Sequence, residues 1–318
     1  MKTNRYSLSL LLFAVSALSS QATIISSPAI IDASVAHSTF VASRVFDGTS
    51  DEYAAIGSGV GTFLKFDFGA PTTFDRIVVV TRNSSTLPNQ IGNYTLIYDD
   101  GVSSDSITRA VAQGQGGFDS LTTTTATTVE LRVDSVGEGT VSDTGAMEIY
   151  FLNTPTGMSL VSGVMATAWS DNPFGVDYDG GSAVSGFLGR AGGTEFASNA
   201  QTETYLELDL GALYQIGGFD FFDRIASVDK VSSFNLVFSA NDTFGDGDDV
   251  SQSYSGSTQS AEFGGISAQY VRYEVSGIAG GTANVGAGEL QFYSIVPEPS
   301  SMVLLGLGAL GFVFRRRK

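Results

Sequence analysis

The chain has 318 residues with 16 Lys and Arg against 33 Asp and Glu, a formal net charge of −17 and no cysteine. The lack of cysteine excludes disulfides, thiol nucleophiles and thiolate metal sites. The acidic balance excludes nucleic acid as an expected partner, because phosphates would be repelled.

Residues 1–22 have the pattern of a secretory signal peptide. Lys2 and Arg5 precede an apolar run over residues 8–17, and Ser20-Gln21-Ala22 places small residues where a signal peptidase reads them. We expect a signal helix cleaved after Ala22, and the alternative is an uncleaved anchor. Two basic residues fall in this segment and four at the C-terminus, so the body between them has a formal charge near −23.

A nine-residue pattern occurs twice in that body. Residues 62–70 (TFLKFDFGA) return as residues 204–212 (TYLELDLGA), displaced by 142 residues and identical at five positions. Apolar and polar residues alternate in both copies, which predicts a strand with one buried face that ends at Gly69 or Gly211.

Other elements recur in the same order at nearly the same displacement. They are Phe46-Asp47-Gly48 with Tyr178-Asp179-Gly180, Arg82 with Arg224, Tyr94, Leu96 and Tyr98 with Phe234, Leu236 and Phe238, residues 129–133 with 271–275, and residues 145–149 with 286–290. A shared order separates a duplicated domain from a chance match. We expect two domains, residues 23–153 and 157–294, joined by a short segment at residues 153–157.

The order within each copy resembles the discoidin or coagulation-factor C-type family of galactose-binding-like proteins. The resemblance rests on an Asp-Gly turn, a strand ending in Asp-x-Gly, a strand ending in Arg, an aromatic strand, a Val-rich strand and a final Gly-Ala-x-Glu strand. It implies an all-β fold of two tandem jelly-roll β-sandwiches. It also implies a non-catalytic binding or adhesion module, with carbohydrate as the expected ligand.

A structural Ca²⁺ in each copy is a second implication of the resemblance. By position, the implied ligands are Asp47 with Glu148 and Asp179 with Glu289, joined by backbone carbonyls near Gly48 and Gly180. Carboxylate and carbonyl oxygens are the ligands that Ca²⁺ prefers. The alternative is that both aspartates hydrogen-bond their own turns and both glutamates face solvent.

Four residues are candidates for ligand binding. The only histidine, His37, and the only tryptophan, Trp169, each lie ten residues before the Asp of an Asp-Gly turn. The resemblance places this segment among the ligand-facing loops, where an aromatic face could stack on a sugar ring. Arg82 and Arg224 are matched across the repeat and could reach a glycan. The alternatives are a Trp that plugs the sandwich, a His on an exposed loop and arginines that form ion pairs.

The sequence indicates no enzyme. A Ser-His-Asp arrangement would have to use His37, and one histidine is too few for a histidine-based zinc site. A glycosidase with paired carboxylates stays the least favoured alternative. The acidic run at residues 241–249 lacks the spacing of an EF-hand, which favours a solvated hairpin loop over a cation site.

The C-terminal tail, residues 296–318, combines a Pro-Glu-Pro motif, an apolar run and a basic cluster. Its motif residues are Pro297, Glu298, Pro299, Arg315, Arg316 and Arg317. The apolar run of 13 residues gives a helix of about 20 Å, short for a permanent span of a core of about 30 Å. The tail closely resembles the PEP-CTERM sorting tail, and the alternative is an ordinary tail anchor.

The resemblance of the tail implies recognition by an exosortase, transient anchoring in the membrane, and delivery to the cell envelope or extracellular matrix. The protein is thus expected to be an exported carbohydrate-binding or adhesion protein that meets extracellular polysaccharide. The alternative is a structural matrix or spacer protein without a small ligand.

Overall fold

The structure is a computed structural model that describes residues 23–297 except 26, 35–38, 49–53, 83–88, 111–112, 139–142, 171–175, 191–192, 199–202, 226–227 and 280–283. The signal helix and the transmembrane helix expected at the two ends lie outside the described residues. Within the described ranges, no helix has the length and apolar character needed to cross a bilayer. The described chain is all-β apart from short 3₁₀ turns.

Eighteen strands account for most of the described residues. In chain order they are β1 Thr23–Ile24, β2 Ala29–Ala33, β3 Ala54–Gly57, β4 Phe63–Thr81, β5 Tyr94–Tyr98, β6 Ser103–Ile107, β7 Gln115–Val133, β8 Thr144–Asn153, β9 Met158–Leu160, β10 Met165–Trp169, β11 Phe187–Gly189, β12 Phe196–Ser198, β13 Tyr205–Phe222, β14 Lys230–Ser239, β15 Val250–Ser255, β16 Gln259–Ala279, β17 Val285–Ala287 and β18 Glu289–Ile295. Turns at Ala42–Phe46, Val176–Tyr178 and Gly180–Val184 are 3₁₀-helical.

Strands β1 to β8 build the first sandwich, in which the hydrogen-bonded order is β1-β8-β4-β7-β5-β6. The first half of β4 pairs with β2 and with the end of β7, while its second half pairs with β8 and with the start of β7. Because β4 passes from one layer to the other, the two layers enclose a core of buried apolar side chains.

The second sandwich repeats this plan in strands β9, β10 and β13 to β18. Its main order is β15-β14-β16-β13-β18-β9, and β10 pairs with the first half of β13. Leu206, Leu208 and Leu210 all point into its core, as the alternating pattern predicts.

The strands predicted to stop at Gly69 and Gly211 instead continue to Thr81 and Phe222. Both glycines have positive φ, +73° and +82°, a conformation that residues with a Cβ atom rarely adopt. Each glycine lies within a break in the pairing register, between Asp67 and Thr72 in β4 and between Asp209 and Tyr214 in β13. The glycines therefore bend a continuous strand from one layer to the other, so the predicted strand ends were wrong.

A large interface joins the two sandwiches. Strand β11, from the segment between β10 and β13, pairs antiparallel with the start of β7 in the first sandwich. Behind this strand, side chains from both sandwiches form one buried apolar cluster of Val78, Val80, Met147, Leu152, Leu188, Phe222 and Ile225. The rings of Phe118 and Tyr150 pack edge-on against Phe222, with centroids 5.2 and 5.3 Å away.

Candidate functional site

The matched arginines have equivalent places in the two sandwiches. Arg82 donates from Nη1 to the backbone oxygen of Asp143 at 2.9 Å, just before β8. Arg224 donates from Nη1 to the backbone oxygen of Asn284, just before β17. Each guanidinium therefore braces the entry to the final Gly-Ala-x-Glu segment of its own copy.

Arg224 is also committed to a buried ion pair. Its Nε and Nη2 atoms donate to the two carboxylate oxygens of Glu195 at 3.1 and 3.0 Å. A bidentate guanidinium–carboxylate pair of this kind fixes both side chains. The geometry fits the ion-pairing alternative for Arg224 better than contact with a glycan, since the side chain is only 5% exposed.

Of the two residues predicted to contact a sugar, the structure describes only Trp169. His37 lies outside the described residues. Trp169, at the end of β10, is 37% exposed. A Cβ atom at Gly180 would lie 2.7 Å from Trp169 Cε3 and 2.6 Å from a methyl of Leu206. The indole therefore packs over the glycine of the Asp179–Gly180 turn, and part of it faces solvent.

The implied calcium ligands of the second sandwich flank one short segment. Asp179 caps the 3₁₀ turn Gly180–Val184, and its Oδ1 accepts a hydrogen bond from Ser182 N at 3.2 Å. Glu289 Oε1 accepts from Gly186 N at 3.1 Å. Asp179 thus does hydrogen-bond its own turn, as the alternative reading expects.

The alternative that both glutamates face solvent is wrong for Glu289. The side chain is 2% exposed, and its Oε2 atom has no hydrogen-bond partner among the described residues. Burial raises the pKa of Glu289 well above its usual range. A buried carboxylate oxygen without a partner is the kind of group that a hard cation satisfies.

In the first sandwich, Asp47 and Glu148 both line a cavity, and Glu148 is fully buried. A lysine from the second sandwich reaches the same place. Lys230 Nζ donates to the backbone oxygen of Gly48 at 2.8 Å and also to that of Arg224. The carbonyl predicted to bind calcium therefore accepts a hydrogen bond from an ammonium group.

Lys230 belongs to a group of buried charges at the interface. Burial lowers the pKa of Lys230, while the negative charges of Asp223, Glu148 and Glu195 oppose this effect. Burial raises the pKa of Asp223 to about 7, although its carboxylate accepts hydrogen bonds from Val231 N and Arg224 N. Lys230, Asp223 and Glu195 were not singled out from the sequence, since nothing local marks a lysine that donates to a carbonyl of the other copy.

The cavity itself lies between the sandwiches and has a volume of about 620 Å³. We call it the inter-sandwich cavity. The first sandwich contributes Ile24, Ile25, Ser27, Pro28, Phe46, Asp47, Gly48, Glu148, Ile149, Tyr150 and Phe151, and the second contributes Lys230, Val231, Ser232, Gly256, Ser257, Thr258 and Ala279. Pockets at such junctions are common sites for small ligands.

The acidic hairpin loop between β14 and β15 forms a cluster of carboxylates at the surface. Asp246, Asp248 and Asp249 each place an oxygen within 4.8 Å of the others, close enough to hold a metal ion. Asn241 Nδ2 donates to Asp246 and Asp248 at 3.0 Å each. The hydrogen bond between the two aspartates lowers the pKa of Asp246 and raises that of Asp248.

Two family models match parts of the chain. Residues 296–318 match the PEP-CTERM protein-sorting motif, so the predicted identity of the tail is confirmed. Residues 12–151 match a domain of unknown function, DUF7402. No curated protein matches the chain.

Several solved structures are similar to the chain at low identity. A fucolectin from striped bass (Morone saxatilis) serum is 13% identical, with 84% of this chain and 95% of that chain covered and a TM-score of 0.31. The module CBM32-3 of a family 31 glycoside hydrolase from Clostridium perfringens is 16% identical, with 43% and 95% covered and a TM-score of 0.34. An F5/8 type C domain from Bacteroides fragilis is 15% identical, with 44% and 99% covered and a TM-score of 0.34.

Proposed function

We propose that the protein is exported and that an exosortase processes its tail and delivers the body to the cell envelope or its extracellular polymer. The match of residues 296–318 to the PEP-CTERM sorting motif carries this proposal. The geometry supports it, because β18 ends at Ile295 and the exposed Pro297 follows two residues later. Cleavage near Pro297 would leave every described strand intact.

Mass spectrometry of the intact protein from its own cells tests the sorting step. We expect a chain that begins at Thr23 and lacks Arg315, Arg316, Arg317 and Lys318. A tail variant with Arg315–Arg317 replaced by Gln is expected to keep these residues and to stay unprocessed. Native material that still carries the arginine cluster would contradict the proposal.

For the body we propose non-catalytic binding of carbohydrate, the ligand that the resemblance to the discoidin family implies. The exposed part of Trp169 supports this proposal. Its indole is held against Gly180 and Leu206, and a fixed aromatic face loses little entropy when a sugar ring stacks on it.

A glycan array tests this binding. We expect the wild-type body to bind at least one polysaccharide and Trp169→Ala to weaken that binding about tenfold or more, the loss of roughly 1.4 kcal/mol. Tyr270→Ala is the matched control, since this partly exposed aromatic lies on β16 and its hydroxyl accepts a hydrogen bond from Gln269 Nε2 at 3.3 Å. A folded wild-type body that binds no polysaccharide would refute carbohydrate binding.

A matrix spacer without a small ligand is the second candidate. The broad contact between the sandwiches, with a shared strand and a shared apolar cluster, favours it, because a stiff unit suits a spacer. This candidate predicts incorporation into the extracellular polymer that Trp169→Ala leaves unchanged.

We further propose a structural Ca²⁺ in the second sandwich, held by Glu289 and Asp179 with backbone carbonyls near Gly180. The buried Glu289 oxygen without a partner supports it. The first sandwich fits calcium less well, since Lys230 already donates to Gly48 O there. The ion would link the last strand to the early turn and neutralise a buried carboxylate.

A further inference from the structure

One wall of the inter-sandwich cavity is the turn between β15 and β16. Gly256 N donates to Ser232 O at 2.8 Å, and Thr258 Oγ1 accepts from Asp223 N at 3.1 Å. These two bonds fix the turn on either side of Ser257, which is exposed and lines the cavity. Because the turn is already ordered before a ligand binds, the entropic cost of binding is lower.

The cavity is lined by both hydrogen-bond donors and acceptors. An ammonium has three N–H donors, and Lys230 uses two of them on Gly48 O and Arg224 O. Among the described residues Lys230 Nζ has no other acceptor, so its third N–H can serve a group inside the cavity that Lys230 lines. Asp47 is exposed and adds a carboxylate, which accepts hydrogen bonds from hydroxyl groups, whereas the carboxylate of Glu148 is fully buried.

Apolar side chains form another part of the lining, beside the hydroxyl groups of Ser27, Ser232, Ser257 and Thr258. Ile24, Pro28, Phe46, Phe151 and Val231 lie along the same cavity. A sugar ring matches such a surface because its C–H groups can pack on the apolar side while its hydroxyls meet the polar side. Neither Trp169 nor the Asp179–Gly180 turn lines this cavity. The cavity is therefore a different site from the sugar-binding surface proposed at Trp169.

The charges decide which class of molecule fits. An anion would meet Asp47, with the buried negative charge of Glu148 behind the cavity wall, and a cation would meet Lys230. An anion and a cation would each be repelled by a like charge in this partly buried cavity. A neutral molecule with several hydroxyls meets no such repulsion and can use both the donor and the acceptors.

We propose that the inter-sandwich cavity binds a neutral sugar of one or two residues and that both sandwiches are needed for this site. The inference rests on the proposed function of the body in carbohydrate binding. The volume of about 620 Å³ lies within the roughly 300–1,000 Å³ of small-molecule sites, which suits the end of a glycan rather than a continuous polymer.

Titration calorimetry on the full-length protein in detergent tests the assignment with D-glucose, D-galactose, L-fucose, N-acetylglucosamine and lactose as probes. Ser257→Trp places a large side chain in the cavity from an exposed position, and we expect it to weaken binding of the best probe at least tenfold. Ser251→Trp is the matched control, because Ser251 is an exposed serine on β15 that does not line the cavity. We expect it to bind that probe like the wild type.

The possible results separate the two proposals. If Ser257→Trp melts like the wild type and binds the probe equally well, the cavity assignment is overturned while carbohydrate binding stands. Equal losses in Ser257→Trp and Ser251→Trp also overturn the assignment. If the wild type binds none of the five probes, and no glycan on the array, both proposals are overturned.

Location of the bound molecule gives a second measurement. A selenomethyl glycoside of the best probe, soaked into crystals, is expected to show its anomalous selenium signal between Lys230 and Ser257. A signal beside Trp169 alone would refute the cavity and support the other place.

Discussion

Arg76 of the first sandwich and Gln291 of the second are joined by a hydrogen bond of 2.7 Å from Nη1 to Oε1. The same guanidinium donates to Tyr293, and its Nη2 lies 3.9 Å from a carboxylate oxygen of Asp220. Asp220 is fully buried and also accepts a hydrogen bond from the Tyr293 hydroxyl at 2.5 Å. The first sandwich thus supplies the positive charge for a buried acid of the second.

We expect Arg76→Ala to destabilise the protein by about 3–5 kcal/mol, because Asp220 would be left as a buried charge without its cation. Arg132→Ala is the control, since Arg132 forms an ion pair with Asp134 at 3.6 Å on the surface, where a loss of less than about 1 kcal/mol is usual. Urea denaturation measures both values. Equal losses would show that the contact between the sandwiches contributes little.

We expect Gly116→Ala to disturb the packing of β7 against β4, at the residues of β7 that pair with β11. A Cβ atom at Gly116 would lie 2.4 Å from the backbone oxygen of Val79, and such overpacking typically costs about 1–3 kcal/mol. Gly264→Ala is the control, because no atom lies within 4 Å of its added Cβ. Thermal melting distinguishes the two, and a Gly116→Ala protein as stable as the control would contradict the close approach.

The pH dependence of stability should report on Asp223. Its folded pKa, raised by burial to about 7, exceeds the ordinary value of 3.8 for an aspartate, so the folded state holds the proton more tightly. The stabilisation from this group is therefore complete below about pH 4 and is lost as the pH rises through about 7.

We expect Asp223→Asn to flatten the fall in unfolding free energy between pH 5 and pH 8. The amide oxygen can still accept from Val231 N while it carries no charge to titrate beside Lys230. Asp242→Asn, on the exposed acidic loop, should keep the wild-type slope. Urea titrations at several pH values measure the slopes, and an unchanged slope in Asp223→Asn would contradict this role.

We expect 1 mM Ca²⁺ to raise the melting temperature of the wild type and to leave that of Glu289→Gln unchanged. A ligand that binds only the folded state stabilises it in proportion to the logarithm of its concentration. Glu130→Gln, on the β7 strand of the first sandwich, should respond like the wild type. A calcium response that survives Glu289→Gln but disappears on removal of Asp246 and Asp248 would move the site to the acidic hairpin loop.

The local pattern of the sequence was enough to predict the two alternating strands of the repeat. Alternation at Leu64 and Phe66, and again at Leu206 and Leu208, placed both strands with the correct buried face. The pattern could not show that each strand continues beyond its glycine, since a glycine at positive φ both ends strands and bends them.

Contacts between the copies could not be predicted from either copy alone. The acceptor of Lys230 lies 182 residues away, and the partner of Arg76 lies 215 residues away. The repeat suggested that Arg82 and Arg224 share a function. In the structure each donates a hydrogen bond to a backbone carbonyl before the final segment of its own copy. The repeat gave no sign that Lys230 would reach the Gly48 turn, because that turn belongs to the other sandwich.

Strand β11 has a consequence for how the duplicated gene can change. The strand is encoded with the second copy yet completes the sheet of the first, so a cut within residues 153–157 would not yield two autonomous halves. An amino-terminal fragment would expose an unpaired edge at Gly116, where another chain could add a strand. Loss of one copy by recombination would thus tend to give an aggregating product, which would favour retention of the tandem form.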